Sequence, residues 1–376
     1  MEPPIRIFEG KIDRIGLSET TFKFHDSLKN QRCGQTIDAV GFRAATDFLV
    51  RWLDDQIGLP SIDAVGHRVV HGMQRTAPQR VTQELLDHLR SIVACDPQHL
   101  PGELDLIEGF RDRNPNLIQV ACFDTLFHAA MPRVAKMLAI PRRLSEKGVS
   151  RYGFHGLSFA YLLEELARIG DVAATSGRVI LAHLGNGSSL AAVLDGKSID
   201  TSMGFTPAAG LPMGSRSGDL DPGLIGYLAR SEQMTPDQFD QMVNHESGLL
   251  GVSELSSDVR DLLAMEKDDI RAAEAIALFC YQTKKWIGSF AAALGGLDTL
   301  VFAGGIGENS PAIRARICDR LQFLGIDIDE SRNEANENLV STPESSVAVR
   351  VVRTDEELMI ANQVRRILGK EVHARP

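Results

Sequence analysis

Short β-branched runs alternate along this chain with stretches whose apolar residues recur every three or four positions, so strands alternating with helices are expected. Ile5–Ile15 and Thr20–Phe24 read as paired strands with a turn at Gly16–Glu19. Gly34–Leu59 reads as a helix, because Ile37, Val40, Phe42, Ala45, Phe48, Leu49 and Leu53 keep helical spacing. Ile62–Val70 reads as a strand that His71-Gly72 leaves, and Val81–Val93 as an amphipathic helix. Leu117–Phe123 is a further strand with Asp124 at its carboxyl end, and a helix is expected from near Ser158. Asp269–Leu294 reads as a long helix stopped by Gly295-Gly296. Leu300–Ala303 and Val347–Val352 read as strands. Thr354-Asp-Glu-Glu357 opens the last helix, with Glu357 as capping-box partner of Thr354 and Glu356 left to face a metal.

Two apolar runs, Val179–Ala182 and Leu190–Leu194, flank Gly185-Asn-Gly-Ser-Ser189. That order is strand, glycine-rich turn, strand. A Walker-type loop would be followed by a helix and carry a Lys-Ser/Thr pair, and neither is present. The turn reads either as an ordinary Asn-Gly hairpin or as a nest of backbone N–H groups for an anion. His183 just before it, and a second glycine segment at Gly304-Gly-Ile-Gly-Glu-Asn309, favour the nest. Ser310 and Pro311 follow as N-cap and first helical residue, so strand, glycine loop and helix start form a second anion or nucleotide site. Between them, Thr206–Pro222 is dense in Gly and Pro around Arg216.

With 376 residues, two domains are expected. A net charge of −10 argues against a general nucleic-acid binder, while leaving room for a local basic site that takes an anionic substrate. Five scattered cysteines without CxxC pairs read as reduced thiols. The start lacks the features of a signal peptide, and no run is apolar for long enough to span a membrane. A cytoplasmic protein with no membrane partner is the expectation.

The polar set left over is Arg68, Asp124, His155, Arg216 and Glu356, beside the two glycine segments. Phosphoryl transfer uses such parts: backbone amides for nucleotide phosphates, cations for the moving group and a carboxylate for Mg²⁺. Arginine suits it because its fork binds phosphate or carboxylate with two bonds. Singly, His155 also fits a satisfied core histidine, Asp124 a cap, and Arg68 half of a buried ion pair.

GHRVVHG at 66–72, CFDTLFH at 122–128, RYGFHG at 151–156, HLGNGSS at 183–189, FTPAAGLPMGSRSGDLDP at 205–222, GGIGEN at 304–309 and TDEEL at 354–358 resemble the signature segments of acetate kinases. The resemblance runs from about Phe8 to the C-terminus. It implies an α/β protein of two actin-like (ribonuclease H-like) domains of the sugar kinase, Hsp70 and actin superfamily, with a central cleft. Residues 1–124 plus about 356–376 would form domain I, and residues 125–355 the nucleotide-binding, dimer-forming domain II. The implied reaction is reversible phosphorylation of acetate by ATP through direct in-line transfer, with ATP/ADP as co-substrate, Mg²⁺ (or Mn²⁺) as cofactor, and a homodimer.

By the same resemblance Asp124, His155 and Arg216 would be catalytic, and Asp124 would orient Arg216 or act as a base. Arg68, Val70, Phe154 and Pro207 would bind the substrate, and Glu356 the metal. His183, Leu184, Gly185, Asn186, Gly187, Asp258, Val259, Arg260, Gly305, Ile306, Gly307, Glu308 and Asn309 would bind the nucleotide.

Three departures stand out. The family's opening strand, its Asn-x-Gly-Ser-Ser-Ser loop and a lysine have no counterpart, since IRIFEGKIDRIG already resembles the next strand. Domain I is thus expected to be incomplete at its N-terminus, leaving unpaired backbone groups and apolar surface. Gln98 stands where the family has an apolar pocket residue. His71-Gly-Met-Gln74 and His155-Gly-Leu-Ser-Phe159 also differ from the family's HGGE and HGTSH. The alternatives are a catalytically impaired nucleotide-binding relative, or a kinase preferring propionate or butyrate.

Overall fold

The computed structural model describes residues 4–15 and 19–372. Its chain divides into two compact units, residues 1–126 with 357–376, and residues 127–356. In unit 1, β1 (Phe8–Asp13), β2 (Thr21–Asp26) and β3 (Gln31–Thr36) form an antiparallel sheet. The turn expected at Gly16–Glu19 lies, except for Glu19, outside the described residues. The helix expected over Gly34–Leu59 is shorter, with α1 running over Phe42–Ile57. Gly34–Thr36 is strand, paired with Thr21–Lys23, and Ile37 packs beside Phe22 from an extended backbone. The apolar spacing had run two elements together.

A second sheet in unit 1 holds β4 (Ala64–Val69), β5 (Gln79–Arg80) and, after helices α2 (Gln83–Ser91) and α3 (Leu100–Arg113), β6 (Ile118–Phe123). The hydroxyl of Thr82 caps α2 by accepting the Leu85 N–H. Leu85, Leu86 and Leu89 of α2 meet Leu100, Leu104 and Ile107 of α3 over Val69, Ala121 and Phe123. β1 and β4 are edge strands among the described residues. Beside β1 opens a cavity of about 490 Å³ lined by Phe8, Phe22, Phe24, Phe42, Trp52 and Gln98, among others.

Unit 2 carries α4 (Gly156–Arg168), then β7 (Arg178–Leu184), β8 (Ser188–Leu194) and β9 (Lys197–Thr201). Helices α5 (Val259–Met265) and α6 (Ile270–Leu294) follow, then β10 (Thr299–Ala303), α7 (Gly304–Asn309), α8 (Pro311–Cys318) and β11 (Ala348–Val351). The last helix, α9 (Glu356–Val372), starts at the end of this unit. The five strands are ordered β11-β10-β7-β8-β9, with β11, β10 and β7 parallel and the rest antiparallel.

Alternate residues of one strand face opposite sides of a sheet. Ile180, Ala182, Leu190, Ala192, Leu300 and Phe302 accordingly pack with α6, while Val179, Leu181, Ala191, Val193, Val301 and Ala303 pack with Phe159, Leu162 and Leu166 of α4. Both faces are covered, and this is why the strands read as unbroken apolar runs. Helix α6 ends on Gly295 in the left-handed conformation, as expected.

The segment 304–309 differs from expectation: it is a helical turn, not a loop. Gly304 leaves the strand at φ +75, where a side chain would strike Leu184 O and His183. The Glu308 carboxylate then accepts the Gly304 N–H, and Arg314, fully buried, donates to the carbonyls of Gly307 and Glu308. Pro311 opens α8 as expected, but the Ser310 hydroxyl makes no capping bond.

Candidate active site

Unit 1 brings Arg68 and Asp124 together. The parallel register sets Arg68 opposite Cys122, so Asp124, two residues on, falls on the same face. Asp124 is fully buried, and Arg68 Nε donates to both of its oxygens at 3.2 and 3.1 Å while Nη2 donates to Oδ2 at 2.6 Å. Arg68 itself stays 40% exposed. The ion pair expected of Arg68 is present, with Asp124 as its partner, but only the Asp124 half is buried.

Beside this pair the Val70 N–H donates to Glu103 Oε1 at 3.0 Å, and the other carboxylate oxygen of Glu103 is buried without a partner. Burial, with Asp96 and Asp124 adding to it, pushes Glu103 up to about 8, so near neutral pH it is a protonated acid. Sequence reasoning gave no sign of Glu103.

Unit 2 gathers the rest. His155 sits at φ 58, left-handed, directly before α4; such strain in a non-glycine residue is held only by its surroundings. Its Nδ1 lies 2.8 Å from Ser189 Oγ, and its ring stacks on His183 at 4.4 Å between centroids. A β-carbon added to Gly187 would meet His155 Nε2 at 3.3 Å and Arg216 Nη2 at 3.4 Å, so the imidazole and the guanidinium converge on that glycine. Arg216 Nη1 donates to Pro207 O at 3.0 Å. The loop bearing it is closed by Gly210 N–H to Asp219 Oδ1, Asp219 N–H to Gly210 O, and Met213 N–H to Arg216 O. Gly210 and Gly218 adopt left-handed backbone with no room for a side chain, which explains the glycines around Arg216.

Phe154 is buried, and its carbonyl lies 3.2 Å from His128 Nε2, whose Nδ1 faces Ser198 Oγ. A carbonyl only accepts, so His128 donates from Nε2; burial pushes this ring down to about 4 and keeps it neutral.

A cavity of about 500 Å³ is lined by Gly185 and Asn186, by Asp258, Val259 and Arg260, and by Gly305, Ile306 and Asn309, with Ser257, Leu263 and Ser310 completing it. Three segments far apart in sequence thus face one space. Asp258 caps α5 and also pairs with Arg260. Leu184 is buried in the core, and Gly307, Glu308 and His183 do not line the cavity. Asn186 carbonyl accepts the Gly214 N–H, tying the hairpin turn to the Arg216 loop.

The capping box expected of Thr354 and Glu357 is absent, because the Thr354 N–H donates to Glu308 Oε1 at 3.0 Å and α9 starts only at Glu356. Among the described residues no three His, Cys, Asp or Glu side chains could enclose a metal ion. A lone glutamate suits Mg²⁺, which keeps much of its water and takes one or two carboxylates together with phosphate oxygens.

The acetokinase family model matches residues 4–362. The chain is 46% identical over 322 residues to an acetate kinase of Rhodopseudomonas palustris (strain TIE-1), covering 85% of this chain and 80% of that one. It is 43% identical over 365 residues to a propionate kinase of Citrobacter rodentium, covering 96% and 90%. A crystal structure of Porphyromonas gingivalis acetate kinase superposes with a TM-score of 0.87 at 36% identity, covering 96% and 93%.

Proposed function

The chain belongs to the acetokinase family, and from that premise we propose that it is a kinase that transfers the γ-phosphoryl group of ATP to acetate, reversibly. The observation that carries the nucleotide half of this reading is the 500 Å³ cavity, where Gly185-Asn186, Asp258–Arg260 and the Gly305, Ile306 and Asn309 positions meet. Backbone amides of the glycine segments suit phosphate oxygens, and the half-buried side of Ile306 and Leu263 suits a base.

Arg68 and Arg216 are the groups we assign to the negative charge of the acceptor and the moving phosphoryl group, with His155 as a further donor. Glu356 would hold a Mg²⁺ ion with the nucleotide phosphates, and that ion would add positive charge at those oxygens. In-line attack by a carboxylate oxygen needs no proton removed, because such acids ionise near pH ~4. A general base is therefore superfluous. Asp124, already bonded by Arg68 through three contacts, serves as the residue that orients an arginine, and the arginine is Arg68.

Val70, Phe154 and Pro207 are assigned to the acyl end. Propionate kinases among the relatives, at similar identity, make the longer acid the natural variant to compare. The test is acyl phosphate formed from ATP with acetate, propionate or butyrate and trapped as the hydroxamate. The reading expects acetate or propionate to be used and butyrate to be poor. Absence of product with all three would overturn it.

A further inference from the structure

Thr354 touches Glu308 through its backbone and Ser158 through its side chain. Its N–H donates to Glu308 Oε1, the same oxygen that accepts the Gly304 N–H. Its hydroxyl lies 2.8 Å from Ser158 Oγ, and Ser158 Oγ lies 2.8 Å from His183 Nδ1. Two residues later comes Glu356, and Ser158 is fully buried in the first turn of α4. The contacts therefore run from the end of β10 through Thr354 and Ser158 to the carboxyl end of β7.

Each contact in this chain joins two groups that can both donate and accept, so its hydrogens have two self-consistent senses. Each hydroxyl carries a single hydrogen. In one sense the Thr354 hydroxyl gives its hydrogen to Ser158 Oγ. In that sense the Ser158 hydrogen goes to His183 Nδ1, which is then the unprotonated nitrogen. The ring's proton is left on Nε2. That nitrogen faces the glycine segments: it would lie 3.1 Å from a β-carbon on Gly304 and 3.7 Å from one on Gly185.

We propose that Thr354 is a positioning residue which, acting through Ser158, holds His183 as the Nε2–H tautomer so that the ring presents a donor toward the glycine segments and an anionic phosphate bound there. The assignment rests on the proposed nucleotide site for its ligand, but not for the placement of the proton. Stacking of His183 on His155 fixes the plane of the ring, and the hydroxyl pair fixes which of its edges donates. Glu308 pins the Thr354 backbone independently of its side chain, so removing the hydroxyl leaves the local chain in place.

The experiment uses the full chain with ¹⁵N-histidine at about pH 8, where an ordinary imidazole is neutral, with the His183 signals assigned by their loss in His183→Asn. Wild type and Thr354→Ser should show a protonated Nε2 and a bare Nδ1. Thr354→Val and Ser158→Ala should show a mixture of tautomers. In steady-state assays the same two variants should raise KM for ATP roughly tenfold with KM for acetate unchanged, and Thr354→Ser should restore it. A wild-type ring protonated at Nδ1, or a Thr354→Val spectrum identical to wild type, would overturn the proposal. So would KM values for ATP and acetate that rise together. If the wild-type chain transfers no phosphoryl group, the kinase reading fails, and the ring spectra alone decide where the proton sits.

Discussion

Asp124 has no access to solvent and holds Arg68 through both carboxylate oxygens. Asp124→Asn keeps the shape and removes the charge, leaving the guanidinium without its anchor. A loss in kcat of about 10²-fold or more is expected, with KM for ATP unchanged and the pH profile unaltered in shape. A new acid limb in wild type that vanishes in the variant would instead mark Asp124 as a base.

Glu103 gives a second residue-scale prediction. Its pKa in the folded chain, about 8, lies above the ordinary 4.5. The unfolded chain releases this proton first, so between those values the folded state binds more protons and stability falls as the pH rises. The contribution is full below about pH 4.5 and is lost as the pH passes through 8. Glu103→Gln keeps the acceptor for the Val70 N–H and cannot ionise. It should melt close to wild type at about pH 4 and several degrees higher at about pH 9. Equal melting temperatures at both would contradict the buried-acid account.

At the scale of elements, the contact of α9 with β4 depends on Gly66. A β-carbon there would stand 2.8 Å from Val364 Cγ2 and closer still to Ile360. Val364 is buried, so its methyl has little space to retreat. Gly66→Ala should therefore cost about 1–3 kcal/mol of unit 1 stability, read as a lower denaturant midpoint, while Gly369→Ala, with open space around it, should cost nothing measurable.

Elements whose two faces are both buried were legible in the sequence. β7, β8 and β10 carry unbroken apolar runs, and α6 has regular spacing and a glycine stop. β3 was not legible, because all six of its residues are exposed and carry no pattern. The helical turn of α7 was hidden for another reason. Its glycines signal a loop, and the groups that wind it, the Glu308 carboxylate and the Arg314 guanidinium, bond to backbone atoms that no residue pattern reveals. At the site, Arg68, Asp124, His155 and Arg216 stood out as polar groups at strand ends and in glycine loops. Ser158, Ser189 and Glu103 did not, because a buried hydroxyl or acid acquires its role only from the partner that folding brings to it.

For the whole molecule, the acidic balance of −10 sits beside fixed basic groups, Arg68 in one unit and Arg216 in the other. Anion recognition of this kind depends on local placement and not on net charge. The described residues include no helix long and apolar enough to cross a membrane. Acetate and propionate kinases match most of the chain, with 80–90% of the two relatives' own lengths covered. The central claim is that this chain moves a phosphoryl group between ATP and a short carboxylate, and that Arg216 acts on the group in transit. The most direct measurement is ATP formed from ADP and acetyl phosphate by the purified chain in a coupled assay, run beside Arg216→Ala. The account predicts steady turnover by wild type and a fall of about 10²-fold or more in the variant with an unchanged melting temperature. No ATP from wild type, or equal rates in the two proteins, would contradict it.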